Sequence, residues 1–484
     1  MSGVDRTLLP WAHHSGTYAL PNSLLVRLKL GETPAGIPTL LDVRHKAARP
    51  AETTGHDALN RVAKAFAGGA IQVSRLHGAA QALRMIGQRH RGYSEAEEIS
   101  GVSRVLRFDV PPGTHVGSMA LSLMQLGVVE SAIPNYVCTV GLDGPARPPA
   151  DEVDADDGWQ PRDMVNAGRA LAYCDGDPAV IIGFVDSGIN PDHPEFQGRL
   201  RRGYDTVQLG AGALANGVAL VGDNSGADTN PTDRHVGHGT GCAGIIGGEG
   251  AAMPPGLAGD CRLLPVRSLG AALFPGRTAA VGIGALSDLD MGLVIAVQLG
   301  AHVINCSFGT DDEDLEPGAP KPHSEAVAFA AAHDCTLVAA SGNSGDRRVY
   351  WPAAFPEVIA VGSVGPDRSI SPFTTSGDHV ALCAPGEKIR TAALDGYQRA
   401  TGTSFAAPFA SGAAGLLVAR ARERSASLDP ATLKSILTAS AAPHRAGTAA
   451  GFGAGILDAA RALELLDQAL DADDSTDLGG ADDG

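Results

Sequence analysis

Two stretches of this chain are apolar without polar alternation, and each stops abruptly at small and polar residues. They are AVIIGFVDSGI (179–189) and TLVAASGNSG (336–345). A strand covered on one face alternates, so unbroken runs predict strands buried on both faces of a parallel sheet. Two further segments, HGTGCAGIIGG (238–248) and GTSFAAP (402–408) with Ser411, Gly412, Ala413 and Ala414 beyond it, are built from small side chains. They predict helices packed closely into a core. The first 140 residues are patterned differently. SLLVRLKL (23–30), AIQVSRL (70–76), RVLRFDV (104–110) and VVESAIPNYVCTV (128–140) read as strands, and ALNRVAKAFA (58–67) and SMALSLMQLG (118–127) as helices. That β-α-β-β-α-β order predicts a small ferredoxin-like α+β sandwich ahead of a larger α/β unit.

Composition bounds the class. A chain of 484 residues has room for one large domain and a smaller one. The formal net charge of −17 argues against nucleic acid or an anionic membrane surface as the main partner. Part of that charge lies in GLDGPARPPADEVDADDG (141–158), whose Pro, Gly and Asp content predicts a flexible boundary, with the N-terminal extension expected over 1–22 and the small domain over 23–140. More lies from Asp467 onward, so 467–484 is expected to be a disordered acidic tail after a domain over 159–466. Seven cysteines without a CxxC pair argue against a zinc site, and free thiols within apolar strands suit a reducing compartment. No apolar stretch resembles a signal peptide or is long enough to span a bilayer, so a cytoplasmic location is expected.

The chemistry sits where these elements end. Asp186 closes the first apolar run, His238 opens one small-residue helix, Ser404 falls in the first turn of the other, and Asn343 follows the second run. A parallel sheet gathers the carboxyl ends of its strands along one edge, which lets such groups converge. A neutral serine is a weak nucleophile until an imidazole takes its proton, and a carboxylate must hold that imidazole in one tautomer. An amide donor and helix-start N–H groups can then hold an oxyanion.

VDSGI, HGTGCAG, SGNSG and GTSFAAP, in the order Asp, His, Asn, Ser, resemble the subtilisin-like serine proteases, or subtilases, over residues 158–465. The resemblance implies a three-layer, doubly wound, mainly parallel sheet. It implies a serine endopeptidase with Asp186 orienting the imidazole, His238 as general base and acid, Ser404 as nucleophile and Asn343 in the oxyanion hole. HVINCSFG (302–309) resembles the strand beside the substrate, and YWPAAFPEVIAVGSV (350–364) the one after the oxyanion asparagine. Ser307, Phe308 and Gly309 would then pair with an extended polypeptide substrate, and Ala339, Ala340, Ser341 and Gly342 would wall the pocket for the residue before the scissile bond. The N-terminal domain resembles the family's inhibitory propeptide, which implies that Ser404 cuts within about 138–150 and that the domain is an intramolecular inhibitor.

Departures from the family pattern carry further expectations. Gly241 and Phe409 stand where a second and a third histidine are common, and Cys242 lies one helical turn beyond His238. No cofactor is implied. GEGAAMPPGLAG (248–259) lacks the calcium-binding asparagines of many relatives, and DNSGADTNPTD (223–233) reads as an exposed acidic insertion before a cation site. The segment GNSGDRRVYW (342–351) should floor the specificity pocket, with Arg347 and Arg348 read as solvated loop charges in preference to partners for an acidic side chain. The same residues would also serve a transamidating, macrocyclising relative, for which 203–234 is the one candidate lid, or a peptide-binding module without catalysis.

Overall fold

A computed structural model of the protein describes residues 19–79, 92–140, 158–210, 217–315, 318–445 and 450–478. Its N-terminal unit pairs β1 (Ala19–Leu28), β2 (Gln72–Arg75), β3 (Val105–Asp109) and β4 (Val129–Val140) as antiparallel neighbours in the order β2-β3-β1-β4. Helices Asp57–Phe66 and Val116–Leu123 bury Leu59, Ala63, Met119 and Leu123 against Leu24, Val26, Leu106 and Phe108. The expected element order is present. β1 begins at Ala19, four residues inside the stretch read as an N-terminal extension.

The larger unit is organised around β5 (Ile181–Asp186), β6 (Tyr204–Asp205), β7 (Ala219–Val221), β8 (Arg262–Arg267), β9 (Gly270–Leu273), β10 (Val281–Ala285), β11 (Val303–Cys306), β12 (Thr310–Asp311), β13 (Thr336–Ala340), β14 (Tyr350–Trp351), β15 (Ile359–Val364) and β16 (Val380–Pro385). Seven of these form a parallel sheet in the order β16-β15-β13-β11-β5-β8-β6. Successive side chains leave opposite faces of a strand, and both faces are covered. Ile182, Phe184, Val338 and Val361 pack under helices His238–Gly247 and Thr403–Glu423. Val185, Ile304, Leu337 and Ala360 face helices Leu286–Gln298 and Ser324–Ala331. This is the three-layer arrangement that the unbroken apolar runs predict.

The two units share a second sheet. β4 pairs antiparallel with β10, which continues to β9 and β7, giving one seven-stranded sheet across the domain boundary. The β4–β10 register sets Val137 opposite Ala285, Cys138 opposite Gly284, Thr139 opposite Ile283 and Val140 opposite Gly282. The connection over 141–157 lies outside the described residues.

The acidic tail needs correction. Residues Ala459–Leu478 form one helix, so the chain is ordered well past Asp467. The Asp467 carboxylate accepts from Arg420 (Nε 3.0 Å, Nη2 2.7 Å) and from the Tyr173 hydroxyl, and Asp471 pairs with Arg424 at 2.6 Å. Acids that look like a solvated run in sequence complement the arginines of Thr403–Glu423 in space. All seven cysteines are free and buried, and no helix among the described residues is long and apolar enough to cross a membrane.

Candidate active site

Asp186 is the last residue of β5 and is fully buried. Its carboxylate lies 2.8 and 3.0 Å from His238 Nδ1, and its Oδ1 also accepts from the Ser187 N–H at 2.7 Å. Gly239 lets the His238 helix approach this closely. A Cβ there would collide with the Gly188 carbonyl and lie 3.1 Å from Asp186 Cβ. The paired nitrogen, Nδ1, becomes the protonated one, so Nε2 is left as the basic nitrogen. Burial opposes a charged His238, but the Asp186 carboxylate outweighs it and holds the imidazole well above its usual range.

Ser404 stands in the first turn of Thr403–Glu423, after Gly402, where backbone N–H groups have no partner within the helix. Its hydroxyl donates to the Ser307 carbonyl at 3.3 Å, while Ser307 Oγ donates to the Ser404 carbonyl at 2.8 Å. The Cys242 thiol is 3.3 Å from that same Ser404 carbonyl and 3.9 Å from His238 Nδ1; burial pushes this thiol up. Phe405 stacks beside the His238 ring, with centroids 5.2 Å apart. Asp186, His238 and Ser404 therefore come together, with the Ser404 hydroxyl turned toward Ser307. Catalytic hydrogen bonds of this kind commonly tighten only once substrate is bound.

Asn343 is locked by its oxygen, which accepts from the Thr403 N–H and hydroxyl, both at 2.9 Å. The amide hydrogens on Nδ2 are thereby the face it offers beside Gly402, whose Cα side is open toward them. Ser307, Phe308 and Gly309 leave the end of β11, and Ala339, Ala340, Ser341 and Gly342 run from the end of β13 to Asn343. β11 and β13 are hydrogen-bonded parallel neighbours, so these two segments leave the sheet at the same edge, with Ser307 in contact with Ser404.

The loop 223–233 is not an exposed acidic insertion throughout. Asp233 is buried; its Oδ1 accepts from the His235 and Val236 N–H groups at 2.9 Å, and its Oδ2 from Gly237 N–H and Ser187 Oγ at 2.7 Å. Ser187 Oγ in turn accepts from Gly239 N–H at 3.0 Å. One carboxylate thus ties the residue after Asp186 to those around His238, which leaves little of it to ligate a cation. The acidic spacing before His238 was visible in sequence, but the Ser187 partner 46 residues away was not. Arg347 is an exposed loop charge beside Asp378 at 3.5 Å, and Arg348 is drawn among Asp311, Glu313 and Asp346.

A carboxylate–imidazole pair beside a helix-start serine, at the carboxyl edge of a doubly wound parallel sheet, defines a serine hydrolase of the acyl-transfer type. The chain belongs to the Subtilase family (peptidase S8), whose model matches residues 177–455, more than half its length. It is 30% identical over 332 residues to the thermophilic serine proteinase of Bacillus sp. (strain AK1), covering 65% of this chain and 70% of that protein. It is 31% identical over 264 residues to thermitase of Thermoactinomyces vulgaris, covering 54% of this chain and 82% of that one. A solved protease of Pseudoalteromonas arctica shares the fold, with a TM-score of 0.53 at 23% identity over 64% of this chain and 97% of that one. The protein is a subtilisin-like serine protease.

Proposed function

We propose that the protein is an endopeptidase that hydrolyses extended polypeptides and first cuts its own chain within about 138–150, at or just after the end of β4. Ser404 Oγ adds to the scissile carbonyl carbon as its proton passes to His238 Nε2, and the oxyanion is held by Asn343 Nδ2 and the Ser404 N–H. His238 then gives that proton to the departing amine. Water repeats the sequence on the acyl-enzyme, returning Ser404 to its hydroxyl form and releasing the acid.

The observation that carries the self-cutting reading is the β4–β10 pairing. β4 ends at Val140, which lies against Gly282 with Val236 close by, two residues before His238. Cys138 and Val140 share a core with Phe308. An extended segment added to a sheet edge beside the triad is how a peptide substrate would bind, and here that segment belongs to the N-terminal domain. Its continuation into 141–150 supports cleavage there, and its pairing with β10 supports inhibition by the same domain until it leaves. Hydrolysis is favoured over transamidation because the described part of 203–234 is tied beneath His238 through Asp233 and Asn224, which bonds the Val221 carbonyl and Ala271 N–H. It is thus anchored to the body of the domain and not poised as a water-excluding lid.

Expression of wild type beside Ser404→Ala tests the proposal. Wild type should yield a species shortened at 138–150 that labels with a fluorophosphonate, and Ser404→Ala only the unlabelled full-length chain. Equal lengths would remove self-processing, and an unlabelled wild type would remove the protease activity itself.

A further inference from the structure

The pocket between the two substrate walls is already occupied by a side chain of this protein. Gly309 follows the strand whose Ser307 carbonyl accepts from Ser404, and Gly342 follows its hydrogen-bonded neighbour β13. Tyr350, in β14, inserts between them. A Cβ on Gly309 would lie 3.2 Å from Tyr350 Cβ and 3.5 Å from Cδ1. A Cβ on Gly342 would collide with the opposite ring edge, at Cδ2 and Cε2. One edge of the phenol ring thus faces each wall, and the two glycines have no side chains because the ring takes that space.

The ring is held in place through its backbone. β14 pairs with β12, setting Tyr350 opposite Asp311 and Trp351 opposite Thr310, immediately after the Ser307–Gly309 wall. The Tyr350 carbonyl accepts from the Ala354 N–H at 3.0 Å, and the Trp351 indole donates to Asp312 at 2.7 Å. Thr310 also rests on His323, which Asp290 holds at 2.6 Å in the core. The strand pairing fixes the Tyr350 backbone, so the ring starts from a fixed Cα between the two walls.

We propose that Tyr350 is the specificity-determining residue of this protease, filling the pocket for the residue before the scissile bond and restricting substrates to peptides with glycine or alanine there. The inference rests on the protease reading above. Tyr350 leaves room for a hydrogen or a methyl group, while a leucine or phenylalanine side chain would need the volume that the ring holds. The chain's own sequence agrees: within 141–150, GLDGPARPPA, the residues available to precede a cut include Gly141 and Ala146.

The experiment is cleavage of a peptide library varied at the residue before the scissile bond, using the full chain after self-processing, with wild type, Tyr350→Phe and Tyr350→Gly. Wild type and Tyr350→Phe should favour glycine or alanine over phenylalanine by at least about tenfold in kcat/KM. Tyr350→Gly should raise kcat/KM for phenylalanine by roughly 10–100-fold, reversing the order. Fluorophosphonate labelling reports whether each variant has folded around a working Ser404; if Tyr350→Gly fails to label, Tyr350→Ala takes its place. The mature N-terminus of wild type should follow a glycine or alanine. Wild-type cleavage after large residues, or a preference that stays put when the ring is removed, overturns the assignment while leaving the protease reading intact. No cleavage of any peptide by a labelled wild type would instead count against endopeptidase function.

Discussion

His238 carries the proton of the reaction, and its setting dictates a pH dependence. Only the neutral imidazole can act as general base, so the active fraction is the fraction deprotonated. Burial alone would favour that neutral form, but the Asp186 carboxylate raises His238 well above its ordinary range. The sign follows directly. Below the raised value the imidazole is charged and inactive, and kcat/KM should fall about tenfold for each pH unit of further acidification. The acid limb of a kcat/KM profile on an uncharged peptide should have its midpoint above pH ~6.5, the ordinary histidine value. A midpoint at or below that value would mean that Asp186 does not govern His238 in solution. These residues could be read from sequence because each is announced by its own neighbours: an apolar run that stops, or small residues that open a helix. Tyr350 falls in the segment read as the pocket floor, but its place between the two walls could not be read in this way. Its role comes from two glycines 41 and 8 positions away, as 350 minus 309 and 350 minus 342, whose closeness is a product of the fold.

The helix Ala459–Leu478 shows the same limit for an element. Its acids suggest a solvated tail because no local sequence feature supplies their partners. Arg420 and Arg424, both 40 or more residues earlier, do so only after Thr403–Glu423 has packed beside it. By contrast β5 and β13 were legible in full, because burial on both faces leaves an unbroken apolar signature in the strand itself. The Arg420–Asp467 fork has a measurable consequence. Hydrogen bonds from Arg420 lower the Asp467 carboxyl below the usual carboxylate range, against the opposing effect of burial. A depressed acid stabilises the fold above its unfolded pKa of ~3.9, and that contribution disappears as pH falls through its lower folded value. Asp467→Ala should therefore lower stability by about 1–2 kcal/mol at pH 7. The gap from wild type should close as the pH approaches ~2–3. Thermal melts of both chains, carried on the Ser404→Ala background to prevent self-digestion, would show it; a gap independent of pH would assign the loss to packing of the helix instead.

Across the whole molecule, the N-terminal domain is seated by more than the β4–β10 ladder. Arg44 donates to the Asp288 carboxylate at 2.9 Å and to the Thr206 carbonyl at 2.8 Å, with both charged side chains almost fully buried. Asn135 accepts from the Ser287 N–H at 2.9 Å and donates to Ser287 Oγ, so β4 caps the start of helix Leu286–Gln298. Arg107 donates to the same hydroxyl at 3.2 Å. If this domain is the inhibitor, its hold on the cleft depends on these buried polar contacts as well as on apolar area. When Arg44 is truncated, Asp288 keeps the Gln208 N–H and the Ser287 hydroxyl among the described residues. Once the domain departs, water can replace the lost donor, so the penalty falls mainly on the docked state. Loss of one hydrogen bond to a buried charge is worth about 1.5–3 kcal/mol, or roughly 10–150-fold in the docking equilibrium. Arg44→Ala should therefore shorten the lag before peptidase activity appears in freshly folded full-length chain. A surface control such as Arg49→Ala should leave the lag unchanged. The catalytic residues are untouched in both variants, so the final rate after complete processing should match wild type. An unaltered lag in Arg44→Ala would show that the cleft is vacated without separating Arg44 from Asp288, and that the N-terminal domain stays in place as part of the working enzyme.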